Sequence, residues 1–178
     1  FLMRFITGPR RHACADSCTG WPHFLHAIQA ILYHELAIIV VAAALWWLTA
    51  GGSNQFGFWT FMVLWGMRQS AKLNLFFGVP NLGEQFLPDH MQYLKGFFRK
   101  RRMNALFPFS VTISTVITVV LVQSAIDPAA TAGEVTGYSL LASLMALAIL
   151  EHWFMVLPLP SEALWRWSLR PTPLEDRA

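Results

Sequence analysis

The chain has 178 residues, of which 55% are hydrophobic and only 13% are charged. Soluble globular domains carry about 25% charged residues, so this composition argues against a water-soluble fold and predicts a membrane protein. The net charge is +3, and no nucleic-acid-binding motif surrounds the basic residues, so we expect no nucleic-acid partner. The chain begins at Phe1 without a signal-peptide pattern, and we expect further protein to precede it.

Four apolar segments are long enough to cross a bilayer as helices, which takes about 20 residues. Gly51 and Gly52 end the first segment and Pro158 follows the fourth, as expected at helix ends. We therefore predict an all-α fold, a polytopic membrane helical bundle that forms a single domain. Its transmembrane helices, about four in number, are predicted at residues 24–50, 56–78, 106–126 and 135–157.

The basic residues predict the orientation of the bundle. Eleven of the 13 lie in three segments, with three in residues 1–22, five in residues 80–105 and three in residues 158–178. The two short loops, 51–55 and 127–134, contain none. Because Lys and Arg concentrate on the cytoplasmic side, we predict a multi-pass protein with both ends and the central loop in the cytoplasm.

The central loop carries an amphipathic pattern. Over residues 86–102, apolar residues at helical spacing alternate with basic ones, which predicts an amphipathic helix on the cytoplasmic surface. An ordinary positively charged loop is the alternative. Anionic lipids suit such a basic face, as does a cytoplasmic domain of a partner. The residues predicted to make these contacts are Lys95, Arg99, Lys100, Arg101 and Arg102.

Four ionisable side chains are predicted to lie within the membrane. Counting helix rise from the predicted cytoplasmic ends places Lys72 and Glu151 about 9 Å deep, and Glu35 and Arg68 about 12–16 Å deep. An unpaired charge near the centre of a membrane helix costs about 2.5–3.5 kcal/mol. We therefore predict that the two acids pair with the two bases in a buried polar cluster.

Three interpretations of this cluster are open. It is a structural network that fixes helix register, or it accompanies a pigment or metal ligand at His34 or His152, because neutral imidazole ligates tetrapyrrole metals. The third interpretation, a di-iron enzyme, lacks the Glu-x-x-His spacing of such bundles, since Glu35 and Glu151 directly adjoin the histidines. The sequence shows no catalytic constellation, and we expect no enzymatic activity.

Two further groups contain residues that commonly bind metals. Cys14 and Cys18 lie near His12, but no second ligand pair follows at zinc-site spacing, so we interpret them as reduced thiols. His23 and His26 are spaced for half of a metal site, and we interpret them as residues of the membrane interface. We therefore predict no metal site in either group.

Several strings of residues are more specific than ordinary apolar membrane sequence. They are Ile6-Thr7-Gly8-Pro9-Arg10-Arg11, Tyr33-His34-Glu35-Leu36, Ser70-Ala71-Lys72-Leu73-Asn74, Gly78-Val79-Pro80-Asn81, Phe86-Leu87-Pro88, Met103-Asn104, Leu106-Phe107-Pro108, Glu151-His152-Trp153-Phe154 and Leu157-Pro158-Leu159-Pro160. In these strings, which cover most of residues 5–167 in order, the chain resembles the photosynthetic complex assembly protein 2 family, the PuhE-type proteins of phototrophic bacteria. Members of that family carry further hydrophobic segments before this region.

The resemblance implies a role in a photosynthetic membrane. The family is encoded beside the gene for the reaction-centre H subunit and is implicated in assembling the reaction centre and its core light-harvesting antenna. The resemblance implies reaction-centre subunits and core antenna polypeptides as partners, and the bacterial inner (intracytoplasmic) membrane as the location. It also implies that any pigment site would bind bacteriochlorophyll or another tetrapyrrole. No catalytic residue carries over. A membrane metalloenzyme that acts on a pigment precursor or lipid is the alternative function.

The predicted orientation is testable by cysteine labelling. In a chain whose Cys14 and Cys18 are replaced by serine, Ser53→Cys should react with a membrane-impermeant maleimide in intact spheroplasts, while Gln92→Cys should not. Labelling of the second variant without labelling of the first would contradict the orientation.

Overall fold

A computed structural model describes residues 20–52, 54–83, 87 and 89–157 of the chain. These residues form four α-helices: α1 (Trp21–Thr49), α2 (Phe56–Phe77), α3 (Leu106–Ala125) and α4 (Ala132–Val156). A 3-10 helix covers Asp89–Phe97 between α2 and α3. The predicted all-α membrane fold is thereby confirmed for the described part of the chain. The predicted tail, residues 158–178, and the Cys14–Cys18 pair lie outside it.

Three helices, α1, α3 and α4, are long and apolar enough to cross a membrane. Only 6% of the most apolar stretch of α1 and 11% of that of α3 is buried within the chain, so their large apolar side chains face outwards. Such surfaces are stable in lipid or against other membrane helices. Helix α2 has a sufficient length of 22 residues, but Arg68, Gln69 and Lys72 make it more polar. Its role as a fourth span stays a prediction.

Helix α4 makes the most extensive contacts among the described helices. It packs along α3 and, less extensively, along α2, while α1 packs mainly against α2. The small apolar core contains Met67 of α2 with Met145 and Ala148 of α4. Gly137 permits the close approach of α2 and α4, because a Cβ atom there would lie 2.4 Å from the ring of Phe56.

A capping box starts α4 three residues before its predicted span. The Thr131 hydroxyl accepts a hydrogen bond from the Glu134 N–H, and the Glu134 carboxylate accepts one from the Thr131 N–H at 2.9 Å. These bonds satisfy backbone donors that a helix start otherwise leaves unpaired. The helix therefore begins at Ala132.

One buried asparagine joins α2 to α3 at the end of the bundle where α2 ends and α3 begins, here called the loop end. The Asn104 Nδ2 donates to the carbonyls of Asn74 at 3.1 Å and Gly78 at 2.9 Å. Its Oδ1 accepts from the N–H groups of Leu106 at 2.9 Å and Phe107 at 3.0 Å. A single side chain thus satisfies the last carbonyls of α2 and the first donors of α3.

A second asparagine, Asn81, donates hydrogen bonds to the carbonyl groups at the end of α4. The Asn81 N–H donates to the Met155 carbonyl at 3.1 Å, and its Nδ2 donates to the carbonyls of Phe154 at 2.8 Å and of Leu157. The short segment after α2 therefore fixes the position of α4 at the loop end.

The basic part of the loop differs from the amphipathic helix predicted over residues 86–102. After the 3-10 helix, the Arg99 N–H donates to the Leu75 carbonyl at 3.2 Å, and Val79 pairs with Arg99 and Arg101 through backbone bonds of 3.1 and 3.3 Å. Gly78, with φ of 117°, turns the chain into this pairing. The backbone of the basic run is extended because it completes the end of α2.

We predict that Asn104→Ala lowers the free energy of unfolding by about 2 kcal/mol, because buried helix-end groups lose their partners. Thermal unfolding in detergent, followed by tryptophan fluorescence, measures the change. Gln123→Ala is the control, because Gln123 lies exposed near the other end of α3, and it should change little. Equal losses in both variants would contradict the role of Asn104.

Candidate functional site

The Glu35 cluster joins α1 to α2 within the predicted membrane region. The Glu35 carboxylate pairs with the Lys72 ammonium and accepts hydrogen bonds from the Gln69 amide and, at 3.1 Å, from the Trp65 Nε1–H. The three donors follow one another at spacings of four and three residues, so they share one face of α2. The sequence analysis placed Glu35 and Lys72 in one polar cluster without choosing between the possible pairs, and it missed Trp65 and Gln69 although their spacing was visible.

The structure does not bring the other two predicted members, Arg68 and Glu151, to this cluster. Both side chains are exposed. Glu151 directly precedes His152, which is 1% exposed, and neighbouring helical residues point about 100° apart. Because His152 faces the interior, Glu151 faces outwards. Arg68 precedes Lys72 by one helical turn and lies at the edge of the face of α2 that contacts α1, with its side chain exposed.

His152 joins α4 to α2. Its Nδ1 lies 2.8 Å from the Ala148 carbonyl oxygen, and its Nε2 lies 2.9 Å from the Ser70 Oγ. A carbonyl only accepts, so Nδ1 carries the proton, and in the neutral ring Nε2 accepts from the Ser70 hydroxyl. Both ring nitrogens are engaged, which does not fit a tetrapyrrole ligand. His34, the other candidate ligand, is exposed on α1.

His23, which was interpreted together with His26 as a residue of the membrane interface, packs against aromatic rings. The His23 ring is 6% exposed and lies 5.4 Å from the Phe76 ring and 5.5 Å from the Phe97 ring, measured between centroids. It therefore anchors the 3-10 helix against α1 and α2. Among the described residues, no group of three or more His, Cys, Asp and Glu side chains comes together.

Polar contacts between α2 and α3 were not anticipated from the sequence. Asn74 is fully buried, and its Nδ2 donates to the Ser70 carbonyl at 2.9 Å and to the Ser110 Oγ at 3.2 Å. One turn further along α3, the Ser114 hydroxyl lies 3.2 Å from the Met67 sulfur. The spacing of Ser110 and Ser114 by four residues was the available signal.

An open groove of about 860 Å³ lies between α2, α3 and α4. It extends from Gln55 and Glu134 to Leu73 and Leu106, and the 55–73 stretch of helix is about 27 Å long. The groove therefore matches the thickness of a bilayer core. Its lining is mostly apolar and includes the small residues Gly66, Ser70, Ser110 and Ser114.

The five predicted contact residues of the basic loop divide into two groups. Lys100, Arg101 and Arg102 are exposed, whereas Lys95 and Arg99 are partly covered. The Arg99 guanidinium lies 5.7 Å from the centre of the Phe76 ring, a distance at which a cation and an aromatic face attract each other.

The apolar outer surface, the polar contacts between helices and the open groove define a helical membrane protein. The chain belongs to the family described as "Protein of unknown function (DUF3623)", whose model matches residues 1–176. It is 45% identical over 172 residues to the "Uncharacterized 30.4 kDa protein in puhA 5'region" of Rhodobacter capsulatus. The match covers 95% of this chain and 61% of that relative. No solved structure matches the chain.

We predict that Lys72→Met leaves the Glu35 carboxylate without its cation and destabilises the protein by about 2 kcal/mol. This is less than the roughly 3–5 kcal/mol of a fully buried pair, because 34% of the Lys72 side chain is exposed. Adding Glu35→Gln should restore part of the loss, whereas adding Glu151→Gln should restore none.

Thermal unfolding in detergent measures these effects. Arg68→Met is the matched control on the same helix and should cause no comparable loss, because Arg68 is exposed. Rescue by Glu151→Gln instead of Glu35→Gln would contradict the pairing.

Proposed function

We propose that the chain is a membrane assembly factor or accessory subunit of the bacterial photosynthetic reaction centre–core light-harvesting complex, as a PuhE-type protein. The proposal is supported by the name of the Rhodobacter capsulatus relative, which places that protein in the puhA 5' region, and by the sequence strings described above. Because the chain spans 61% of the relative's length, the proposal concerns the part that these residues contribute.

The groove between α2 and α3 is the observation that carries the proposal. It is open to the side, apolar, and about as long as a bilayer core is thick. The pairs Gly66–Ser70 and Ser110–Ser114 place small side chains four residues apart on its walls, and such pairs let the backbones of membrane helices approach closely. A single transmembrane helix of a reaction-centre or antenna polypeptide fits this length and chemistry.

The proposal includes a bacterial inner (intracytoplasmic) membrane, α2 as the fourth span and a cytoplasmic loop end. The exposed side chains of Lys100, Arg101 and Arg102 then meet anionic headgroups, each contributing about 1 kcal/mol of attraction near the surface. A pigment at His152 is not part of the proposal, because both ring nitrogens are already bonded. No observation on the described residues favours the alternative metalloenzyme.

The test compares two glycines of α2. A Cβ atom at Gly66 or Gly57 would meet nothing within 4 Å, so the chain itself accommodates leucine at either position. Only Gly66 lines the groove. Tagged full-length protein is purified from native photosynthetic membranes in mild detergent, and its partners are identified by mass spectrometry and absorption spectra.

We expect reaction-centre or core antenna subunits to co-purify with the wild type and with Gly57→Leu. Recovery with Gly66→Leu should fall at least fivefold, because the leucine occupies the groove. Absence of these subunits from the wild-type sample, or equal recovery with both leucine variants, would refute the proposed function.

A further inference from the structure

Inside the predicted spans, one histidine, one arginine and one glutamate have no side-chain partner among the described residues. His34 of α1, Arg68 of α2 and Glu151 of α4 are exposed. Among the described residues, none of them has a hydrogen bond or an ion pair with another side chain. Arg68 and Glu151 carry ionisable groups, and such groups are rare and costly at a lipid-facing surface, so their position requires an explanation.

Contacts between the helices place the three residues at one level. Helices α1 and α2 are antiparallel, and the ring contacts Phe24–Phe76 at 5.5 Å and Trp46–Phe58 at 5.2 Å fix their register. Interpolation between these pairs puts residue 34 beside residue 68.

Helices α2 and α4 are parallel. Two contacts fix their register, the Phe56–Tyr138 ring contact at 5.1 Å and the Ser70–His152 hydrogen bond at 2.9 Å. In both, the two residues are separated by the same number of positions in the sequence. That offset puts residue 68 beside residue 150. Glu151 therefore lies within one residue of the level of Arg68 and His34.

Arg68 and Glu151 also lie on the same side of the bundle. Gly66 lines the groove that α2 forms with α3, and Arg68, two residues later, points about 200° away from it. Trp153 contacts Phe107 of α3 with ring centroids 5.5 Å apart. Glu151, two residues earlier, points away from α3 by the same geometry. Both charges therefore lie on the face opposite α3.

His34 belongs to this face as well. It follows His23 by about three helical turns on the same stripe of α1, and the Phe97 ring covers His23. Two residues after Phe97, the Arg99 N–H donates to the carbonyl of Leu75, which follows Arg68 by two turns on one stripe of α2. The segment 97–99 thus lies beneath both stripes, on the loop-end side of His34 and Arg68.

We infer that this face, here called the polar layer (His34, Arg68 and Glu151), docks a transmembrane helix of a partner that carries a carboxylate at the depth of Arg68. An isolated charge near the centre of a membrane helix costs about 2.5–3.5 kcal/mol, and a facing carboxylate removes this cost for Arg68. Glu151 then accepts a hydrogen bond from a donor on the same partner helix, and His34 contacts that helix as well. The inference goes beyond the proposed function, because it depends only on these charges.

Synthetic helices test the inference directly. The full chain is reconstituted in phosphatidylcholine vesicles with single-span leucine–alanine helices that carry Glu, Gln, Lys or Leu at their midpoint. Association is measured by resonance energy transfer between labels on the helix and the protein. We expect the Glu helix to associate at least tenfold more tightly than the Gln and Leu helices.

Arg68→Leu should abolish this preference, and Arg68→Glu should transfer it to the Lys helix. Gln123→Leu is the control, because it removes an exposed polar side chain of α3, and it should keep the preference for Glu. Circular dichroism shows whether each variant is folded.

Equal association of the Glu, Gln and Leu helices would overturn the inference, as would a preference for Glu that persists in Arg68→Leu. If Arg68 instead binds a lipid phosphate, the Glu, Gln and Leu helices should associate equally. The inference also fails if Arg68→Leu lowers the thermal stability of the protein without added helix and Glu151→Leu restores it, because the two charges then pair within the chain. A preference for Glu without co-purifying photosynthetic subunits would refute the proposed function alone.

Discussion

The contacts of this bundle depend on one constraint, which is that polar groups inside a bilayer must find their partners within protein. Water is absent there, and an unsatisfied backbone or side-chain group costs several kcal/mol. Glu35 meets its requirement with three donors from α2. His152 meets it with Ser70 and its own helix. Each of these solutions fixes the rotation and register of a helix, so the polar residues specify an arrangement that apolar packing leaves open.

The same constraint explains the central place of α2. This helix presents a polar stripe to α1, Ser70 and Met67 to α4, and Gly66 to the groove. A helix that contacts neighbours on several sides needs polar and small residues, which lowers its mean hydropathy. Its sequence is therefore less apolar than those of α1, α3 and α4, although its length is similar. Low hydropathy in this helix reflects its contacts with the rest of the bundle.

The asparagines at the loop end show how a short connection organises long helices. Asn104 links the end of α2 to the start of α3, and Asn81 holds the end of α4. The Asn104 side chain carries donors and an acceptor, so it satisfies carbonyl and N–H groups together, whereas Asn81 donates to carbonyl groups of α4 and Leu157. The groove and the polar layer lie on opposite sides of the framework that results. The two helix-binding surfaces that we propose therefore do not overlap.

Much of the fold was predictable because the controlling properties are local. Apolar composition and segment length predicted a helical membrane protein, and the predicted spans lie close to the helices. The capping box of Thr131 and Glu134 was a local signal that the prediction overlooked. The extended backbone of the basic run could not be predicted from local sequence, because it results from backbone hydrogen bonds to Leu75 and Val79.

The sequence by itself determined that the chain is a helical membrane protein and that Glu35, Arg68, Lys72 and Glu151 lie within its predicted spans, because composition and helix rise suffice for both conclusions. Only the tertiary structure decided which of these charges meet. Glu35 contacts Lys72, while Arg68 and Glu151 face outwards. The physical reason is that partner choice depends on the rotation and register of each helix about its own axis. Those quantities are set by contacts such as Ser70–His152 and Trp46–Phe58, which join residues far apart in the chain.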